Sequence, residues 1–318
     1  MKIQITEVST FCEQIITEVE RAIVGKEQLL RRIMAAILAG GHILIEDYPG
    51  LGKTILSKSL ATALGLDFKR IQFTPDLLPS DITGSYVFDR TKNQFELRQG
   101  PIFANIILAD EINRASPKTQ SALLEAMQEV QVTLEGETMQ LQEPFIVIAT
   151  QNPIEYEGTF PLPEAQLDRF LVKLKVGYPS PRDEQEILKR RRERKQDEVV
   201  INQVTDADTL LALRQAVEMV HIETDLERYI VGLVSVTRND KRVAVGASPR
   251  GSLALLKLSR AQAALAGRDY VIPDDIKAFF IPALVHRLIL EPEFWMKLRA
   301  AEDILEDMMK EVPVPVIE

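Results

Sequence analysis

The sequence predicts an α/β fold: a parallel sheet with helices on both faces and two β-hairpin inserts, followed by an all-α domain. Three observations predict it. Short, nearly all-apolar runs alternate with helical stretches, as strands buried on both faces do. Polar residues collect just past the C-terminal ends of those runs, where open α/β sheets hold ligands. Beyond Tyr178-Pro179-Ser180-Pro181 the strands stop, and only helical spacing remains.

In chain order, residues 8–39 carry apolar residues at helical spacing, and Gly25 divides them into two helices with a turn at Val24-Gly25. Residues 42–46 form a strand, followed by a Gly-rich turn and a helix over 53–64. Further strands are expected at 68–73, at 106–109 ending in Asp110-Glu111, at 145–150 ending in Gln151-Asn152, and at 171–176. Two segments break this rhythm. Residues 84–97 alternate Tyr86, Phe88, Phe95 and Leu97 around a polar turn; residues 130–141 alternate Val130, Val132, Leu134, Met139 and Leu141 around Glu135-Gly136-Glu137. Both spacings predict hairpins. The Pro-containing segment places a domain boundary between 177 and 178, giving an α/β unit over 1–177 and a helical unit over 178–318. Turn signals in the latter fall near Asn239-Asp240, Gly267 and Pro273.

The 318 residues suffice for two such domains, and 46% apolar with 27% charged residues describes an ordinary globular chain. A formal net charge of −9 argues against a protein that grips duplex nucleic acid through a broad basic face. The single cysteine, Cys12, permits no intrachain disulfide and sits among Phe11, Ile15 and Ile16, which reads as core packing. No apolar run approaches the roughly 20 residues of a spanning helix. The N-terminal stretch lacks the basic start and apolar centre of a signal peptide, so a cytoplasmic location is expected.

The chemistry begins at Asp47-Tyr48-Pro49-Gly50-Leu51-Gly52-Lys53-Thr54, which fits the phosphate-loop spacing G-x-x-x-x-G-K-[ST] except that Asp47 replaces the first glycine. Gly50 and Gly52 let backbone N–H groups turn toward phosphates. Lys53 reaches the β- and γ-phosphates, Thr54 ligates Mg²⁺, and the following helix points its N-terminus at the anion. The contacts with ATP are assigned to Pro49, Gly50, Leu51, Gly52, Lys53, Thr54 and Ile55. A carboxylate beside a polyphosphate repels it, so Asp47 is expected to face away, into a hydrogen bond with nearby backbone or a basic side chain. A Gly-rich turn without a ligand is the alternative, which the preceding strand and following helix disfavour. Asp110, at the end of a buried strand, is placed to hold Mg²⁺, and Glu111 to orient and deprotonate the attacking water. Surface carboxylates at a strand end are the competing reading. Asn152 can hydrogen-bond the γ-phosphate and the water, or simply begin an Asn-Pro turn. Ser248 and Pro249 read as the N-cap and first residue of a helix, which puts Arg250 in its first turn, able to reach ATP held by the first domain. Arg169 is better placed to point at a neighbour's nucleotide. For each arginine a plain surface ion pair competes.

Five blocks carry a family resemblance: Ala109-Asp110-Glu111-Ile112-Asn113-Arg114-Ala115; Lys118-Thr119-Gln120-Ser121-Ala122-Leu123-Leu124-Glu125-Ala126-Met127; Ala149-Thr150-Gln151-Asn152-Pro153; Gly158-Thr159-Phe160-Pro161-Leu162-Pro163-Glu164-Ala165-Gln166-Leu167-Asp168-Arg169-Phe170; and Gly246-Ala247-Ser248-Pro249-Arg250. Over nearly its whole length the chain resembles the MoxR family of AAA+ ATPases, in the group with a hairpin insert in the second helix. The resemblance implies an AAA+ P-loop NTPase core followed by a lid. It implies that Lys53 and Thr54 are the Walker A pair, Asp110 and Glu111 the Walker B pair, Asn152 sensor 1, Arg169 the arginine finger and Arg250 sensor 2. Val24 and Gly25 match the segment that packs on adenine, and the family accepts Asp at position 47. The hairpins match the second-helix and pre-sensor-1 inserts, which face the pore or the substrate in such rings. A hexamer with ATP between subunits is implied, as is chaperone-like maturation of a protein client, often one with a von Willebrand factor A domain and sometimes through metal insertion.

Other signals carry less. Residues 189–195 form a basic run that reads as a solvated helix face before a nucleic-acid patch. His42, His221 and His286 lack ligand spacing, and Ser57 and Ser59 look structural. A nucleic-acid-stimulated motor of the same architecture is the main alternative function, but the acidic tip at Glu135-Gly136-Glu137 disfavours phosphate contact. A small-molecule kinase or a GTPase fits less well. The Arg250 helix and the inserts argue against the first, and no N-K-x-D tetrad is present for the second.

Overall fold

The structure, a computed structural model, describes residues 3–153, 159–295, 297 and 299–315. Helices α1 (Ile5–Val19) and α2 (Glu27–Leu38) lead into β1 (His42–Glu46), α3 (Lys53–Leu64), β2 (Phe68–Gln72) and the short α4 (Pro79–Thr83). The hairpin β3 (Gly84–Asp89) and β4 (Gln94–Gln99) precedes β5 (Ile106–Asp110) and α5 (Pro117–Glu129); a second hairpin, β6 (Gln131–Leu134) and β7 (Glu137–Gln140), precedes β8 (Ile146–Gln151). After α6 (Glu164–Leu167) and β9 (Phe170–Leu174) come α7 (Pro181–Arg194), α8 (Ala207–Glu218), α9 (Thr224–Asn239), β10 (Val243–Val245), α10 (Pro249–Leu265), α11 (Pro273–Leu284), β11 (Ile289–Leu290) and α12 (Ala300–Glu311). Gly158, the first residue of one sequence block, lies outside the described residues.

The central sheet has the order β2-β5-β8-β1-β9, and every pairing in it is parallel. Both faces are buried, with side chains alternating between them. Ile43, Ile45, Leu108 and Ile148 face one apolar cluster, whereas Leu44, Ile107, Ala109, Val147 and Ala149 face the other with α5 and its neighbours. The strand order brings the ends of β1, β8 and β5 side by side. The loop after β1, Asn152 after β8, and Asp110-Glu111 at the end of β5 therefore meet at one edge.

The first apolar cluster does not stop at the sheet. It runs through Val8, Ile33 and Leu60 into Leu213, Leu255, Phe279 and Leu305 of the helical lid. The lid is not wholly helical: β10 pairs antiparallel with β11, Val243 opposite Leu290. This corrects the all-α expectation. Strands of two or three residues leave no period-2 signal, and their pairing is created by the helices that bring them together. Cys12 is fully buried, which pushes its thiol up to about 12. The basic run lies on α7, a helix with no buried residue, and much of it is paired locally, Arg190 with Glu186 and Arg191 with Asp197.

Candidate functional site

The loop after β1 is held open by its backbone. Gly50 and Gly52 have φ of +83° and +78°, the left-handed region that favours glycine. A Cβ at either would meet nothing within 4 Å, so conformation rather than crowding selects glycine, and the space beside them is free for a ligand. Lys53 and Thr54 begin α3 there. Asp47 is 6% exposed; its Oδ1 accepts the Tyr48 N–H at 2.8 Å and its Oδ2 the Gly177 N–H at 2.6 Å. The carboxylate thus satisfies one backbone amide of its own loop and one of the segment leaving β9, the turn toward backbone that was expected. Lys53 Nζ donates to the Asp47 carbonyl at 2.8 Å. Burial pulls this ammonium below the ordinary lysine range, while Asp110, Asp47 and Glu111 oppose the shift.

A cavity of about 380 Å³ opens over the loop, lined by Gly50, Gly52, Lys53, Thr54, Asp110, Glu111 and Asn152, with Pro49 and Ile55 at its rim. Leu51 packs on the core instead. Val24 and Gly25 are not in this cavity: Val24 lines a groove along α7, and Gly25 abuts the Asp183 side chain. They connect to the loop at one remove, because Lys26 Nζ donates to the carbonyls of Gly177 and Tyr178 at 3.0 and 2.9 Å.

The acidic pair is tightly held. Thr150 Oγ1 donates to Asp110 Oδ1 at 2.6 Å and accepts the Glu111 N–H at 2.8 Å. Arg70 closes on Asp110 Oδ2, through Nη2 at 2.7 Å and Nε at 3.1 Å. Glu111 sits in the left-handed region (φ 57°, ψ 49°), a conformation that costs about 1–2 kcal/mol for a residue with a Cβ. Its Oε2 accepts Gln72 Nε2 at 2.8 Å and Arg114 Nη1 at 3.0 Å. Such strain persists only where the surroundings over-determine it.

The donor set fits a magnesium nucleotide. Mg²⁺ takes hard oxygens, few of them from protein, and relies on substrate phosphates for others. Thr54 and Asp110 supply such oxygens beside an open anion cradle, and among the described residues no cluster of three or more His, Cys, Asp or Glu side chains competes for a cation.

The arginines lie elsewhere. Arg169 and Arg250 share a separate cleft of about 280 Å³ with Asp168, Leu253, Lys257 and Arg287. Arg169 donates to the Leu124 carbonyl, and Arg250 Nη1 is 3.7 Å from Asp168 Oδ2. The Ser248 hydroxyl caps α10 by accepting the Arg250 N–H at 3.2 Å. The local reading of Arg250 at the start of its helix therefore holds, and its side chain lines this cleft and not the loop cavity. The lid is fastened so that Arg250 sits beside Arg169, away from the loop cavity.

Sequence reasoning missed Arg70, Gln72, Arg114 and Thr150 around the acidic pair. A signal existed: Arg70 and Gln72 are two apart on β2, hence on one face, and Gln72 is in register with Asp110. It also missed what Gln120 does. Gln120 is fully buried, and its amide donates to the carbonyls of Ile112, Ala115 and Phe160, which ties the turn after β5 to the segment before α6.

A P-loop sheet with an acidic pair on the next strand but one, an asparagine at the end of the strand between them and a helical lid defines an AAA+ ATPase. Residues 42–172 match the ATPase family associated with various cellular activities (AAA), and residues 235–308 match the AAA lid domain. The chain is 42% identical to Chaperone MoxR1 of Mycobacterium tuberculosis, over 96% of this chain and 82% of that one. It is 50% identical to the Bacillus subtilis protein YeaC, over 95% and 94%. A crystal structure of a Cytophaga hutchinsonii protein superposes with a TM-score of 0.91 at 40% identity, covering 98% of this chain and 96% of that one. The chain belongs to the MoxR family of AAA+ ATPases.

Proposed function

We propose that this chain hydrolyses ATP at a site completed by a second copy of itself, and couples the cycle to remodelling or maturation of a protein client. The observation that carries this reading is the separation of the parts. The loop, the acidic pair and Asn152 share one cavity, whereas Arg169 and Arg250 face another. An arginine finger contributes roughly 10³–10⁵ in rate, and a finger set in a cleft apart from its own loop serves a neighbour's. Such head-to-tail contacts close into rings, and a hexamer is the closure the family resemblance implies.

Within one site, Lys53 meets the β- and γ-phosphate oxygens, and Thr54 and Asp110 would hold Mg²⁺, which would offset charge on those oxygens. Asn152 orients the attacking water. Glu111 accepts its proton as the water oxygen bonds the γ-phosphorus and the bond to the β–γ bridging oxygen breaks, leaving ADP and phosphate. Its present donors, Gln72 and Arg114, both bond Oε2, so Oε1 is the oxygen that takes the proton. Val24 and Gly25 flank the adenine side. We place the division between the two units at 177/178 and the protein in the cytoplasm.

The client reading rests on the relative named as a chaperone and on two exposed hairpins, joined by Tyr86 Oη donating to Glu137 Oε2 at 2.8 Å. Phe88 and Phe95 stack edge to face on the first and are exposed, which suits an apolar protein contact. A von Willebrand factor A domain client, with or without metal insertion, is the form this takes by resemblance. The acidic tip of the second hairpin favours it over the nucleic-acid motor. Glu111→Gln is expected to lower ATP turnover roughly 10²–10⁴-fold while nucleotide binding persists; undiminished turnover would remove Glu111 as the base. Mixing Glu111→Gln with Arg169→Ala subunits, each inactive alone, is expected to restore turnover. Failure at every ratio would refute the shared site.

A further inference from the structure

We infer that Arg287 is a positioning residue for the arginine pair: it fastens the lid to the Asp168 carboxylate, so that Arg169 and Arg250 are presented together to a neighbouring copy's nucleotide. This rests on the shared-site reading above and extends it to a residue outside the cavity that holds the phosphates.

Arg287 follows α11, and its side chain is 4% exposed. Its guanidinium reads the backbone that runs from Arg169 into β9. Nε donates to Asp168 Oδ1 at 2.7 Å, Nη2 to the carbonyls of Phe170 at 2.8 Å and Asp168 at 3.3 Å, and Nη1 to the Leu171 carbonyl at 3.3 Å and to that of Ala283. One planar fork from the lid thus fixes a four-residue segment of the core that contains the finger. The second carboxylate oxygen of Asp168 faces the other arginine: Ser248 Oγ donates to it at 3.3 Å, and Arg250 Nη1 lies 3.7 Å away. Asp168 is therefore bonded to Arg287 on one side and to the cap of the Arg250 helix on the other, while being covalently next to Arg169.

Charge makes this arrangement necessary. Three guanidinium groups repel one another, and Asp168 is the carboxylate placed among them; without it, Arg287 would push Arg250 from the cleft. Close packing supports the same lock. A Cβ at Gly251, next to Arg250, would come within 2.9 Å of Leu284 Cδ2, so the first turn of α10 rests directly on the end of α11. A lysine at 287 would keep the charge but could not reach the carboxylate and the carbonyls at once.

The test uses assembled protein and four variants. Arg287→Lys is expected to remain folded by circular dichroism and gel filtration. Its nucleotide affinity should stay within about threefold of wild type, while kcat falls roughly 10–100-fold through misplaced arginines. Mixed with Glu111→Gln subunits it should regain turnover with the same ratio dependence as Arg169→Ala, because its own loop and base are intact. The double variant Asp168→Asn with Arg287→Met leaves no orphaned buried charge and is expected to fold with the same rescued defect. Near wild-type kcat in either variant would overturn the inference. So would a loss that Glu111→Gln fails to rescue while Arg169→Ala is rescued, since the damage would then be in the variant's own site. Failure of the Arg169→Ala control would instead sink the shared-site reading, and this inference with it.

Discussion

If Asp110 ligates the cation as proposed, Arg70 competes with it for Oδ2. Its Nη2 lies 2.7 Å from Oδ2, and its side chain is 46% exposed, so the pair is weak in energy yet well placed to compete. Replacing it with methionine is expected to lower the Mg²⁺ concentration that half-saturates fluorescent-nucleotide binding, by up to about tenfold if the pair contributes roughly 1 kcal/mol. An unchanged or higher requirement would mean that Arg70 serves the phosphates rather than opposing the cation. Residues of this kind were hard to read in advance. Lys53, Thr54 and Asp110 stand in a recognisable spacing, whereas Arg70 belongs to the site only because β2 lies beside β5.

At the scale of elements, His42 shows how a residue without any motif can bind strands together. Its Nδ1 accepts the Val147 N–H at 3.0 Å, and its Nε2 lies 2.9 Å from the Met127 carbonyl. One nitrogen accepts and the other donates, so the ring is neutral. Burial holds its pKa down to about 4, against an ordinary 6.5. The unfolded chain therefore binds more protons between those values. The contribution is complete above pH 6.5 and is lost as pH falls toward 4, on the order of 3 kcal/mol over that window. Urea midpoints of wild type and His42→Gln should diverge above pH 6.5 and converge toward pH 4; parallel curves would contradict the assignment. The helix and strand boundaries around it were legible to within a few residues, because apolar periodicity and Gly-rich turns mark them. The β10–β11 pair was not, since neither strand is long enough to show a period.

For the whole molecule, the consequential feature is the apolar cluster that runs from the sheet into α8–α12. The proposed division at 177/178 marks a change in sequence pattern, and the core runs across it. Phe279, fully buried in the lid, packs in the same cluster as Ile43 and Leu60. Phe279→Ala is expected to cost about 3–5 kcal/mol and to lower one common unfolding transition, not a separate lid transition. Two resolved calorimetric peaks would count against a shared core. A lid fixed this firmly also explains why Arg250 stays with Arg169 and not with the loop of its own chain.

The sequence by itself determined the sheet, both hairpins, the phosphate loop, the acidic pair and the family, because each is written in local spacing or in long contiguous blocks. It also determined that Asp47 had to turn away, since a carboxylate could not face a polyphosphate. Where Asp47 turned, to the Gly177 amide, was a tertiary decision, as were the grip of Arg70 and Gln72 on the acidic pair and the fastening of Arg250 beside Arg169. Each joins residues far apart in the chain. Such contacts follow from strand order and from how the lid packs, and neither leaves a period in the residues concerned.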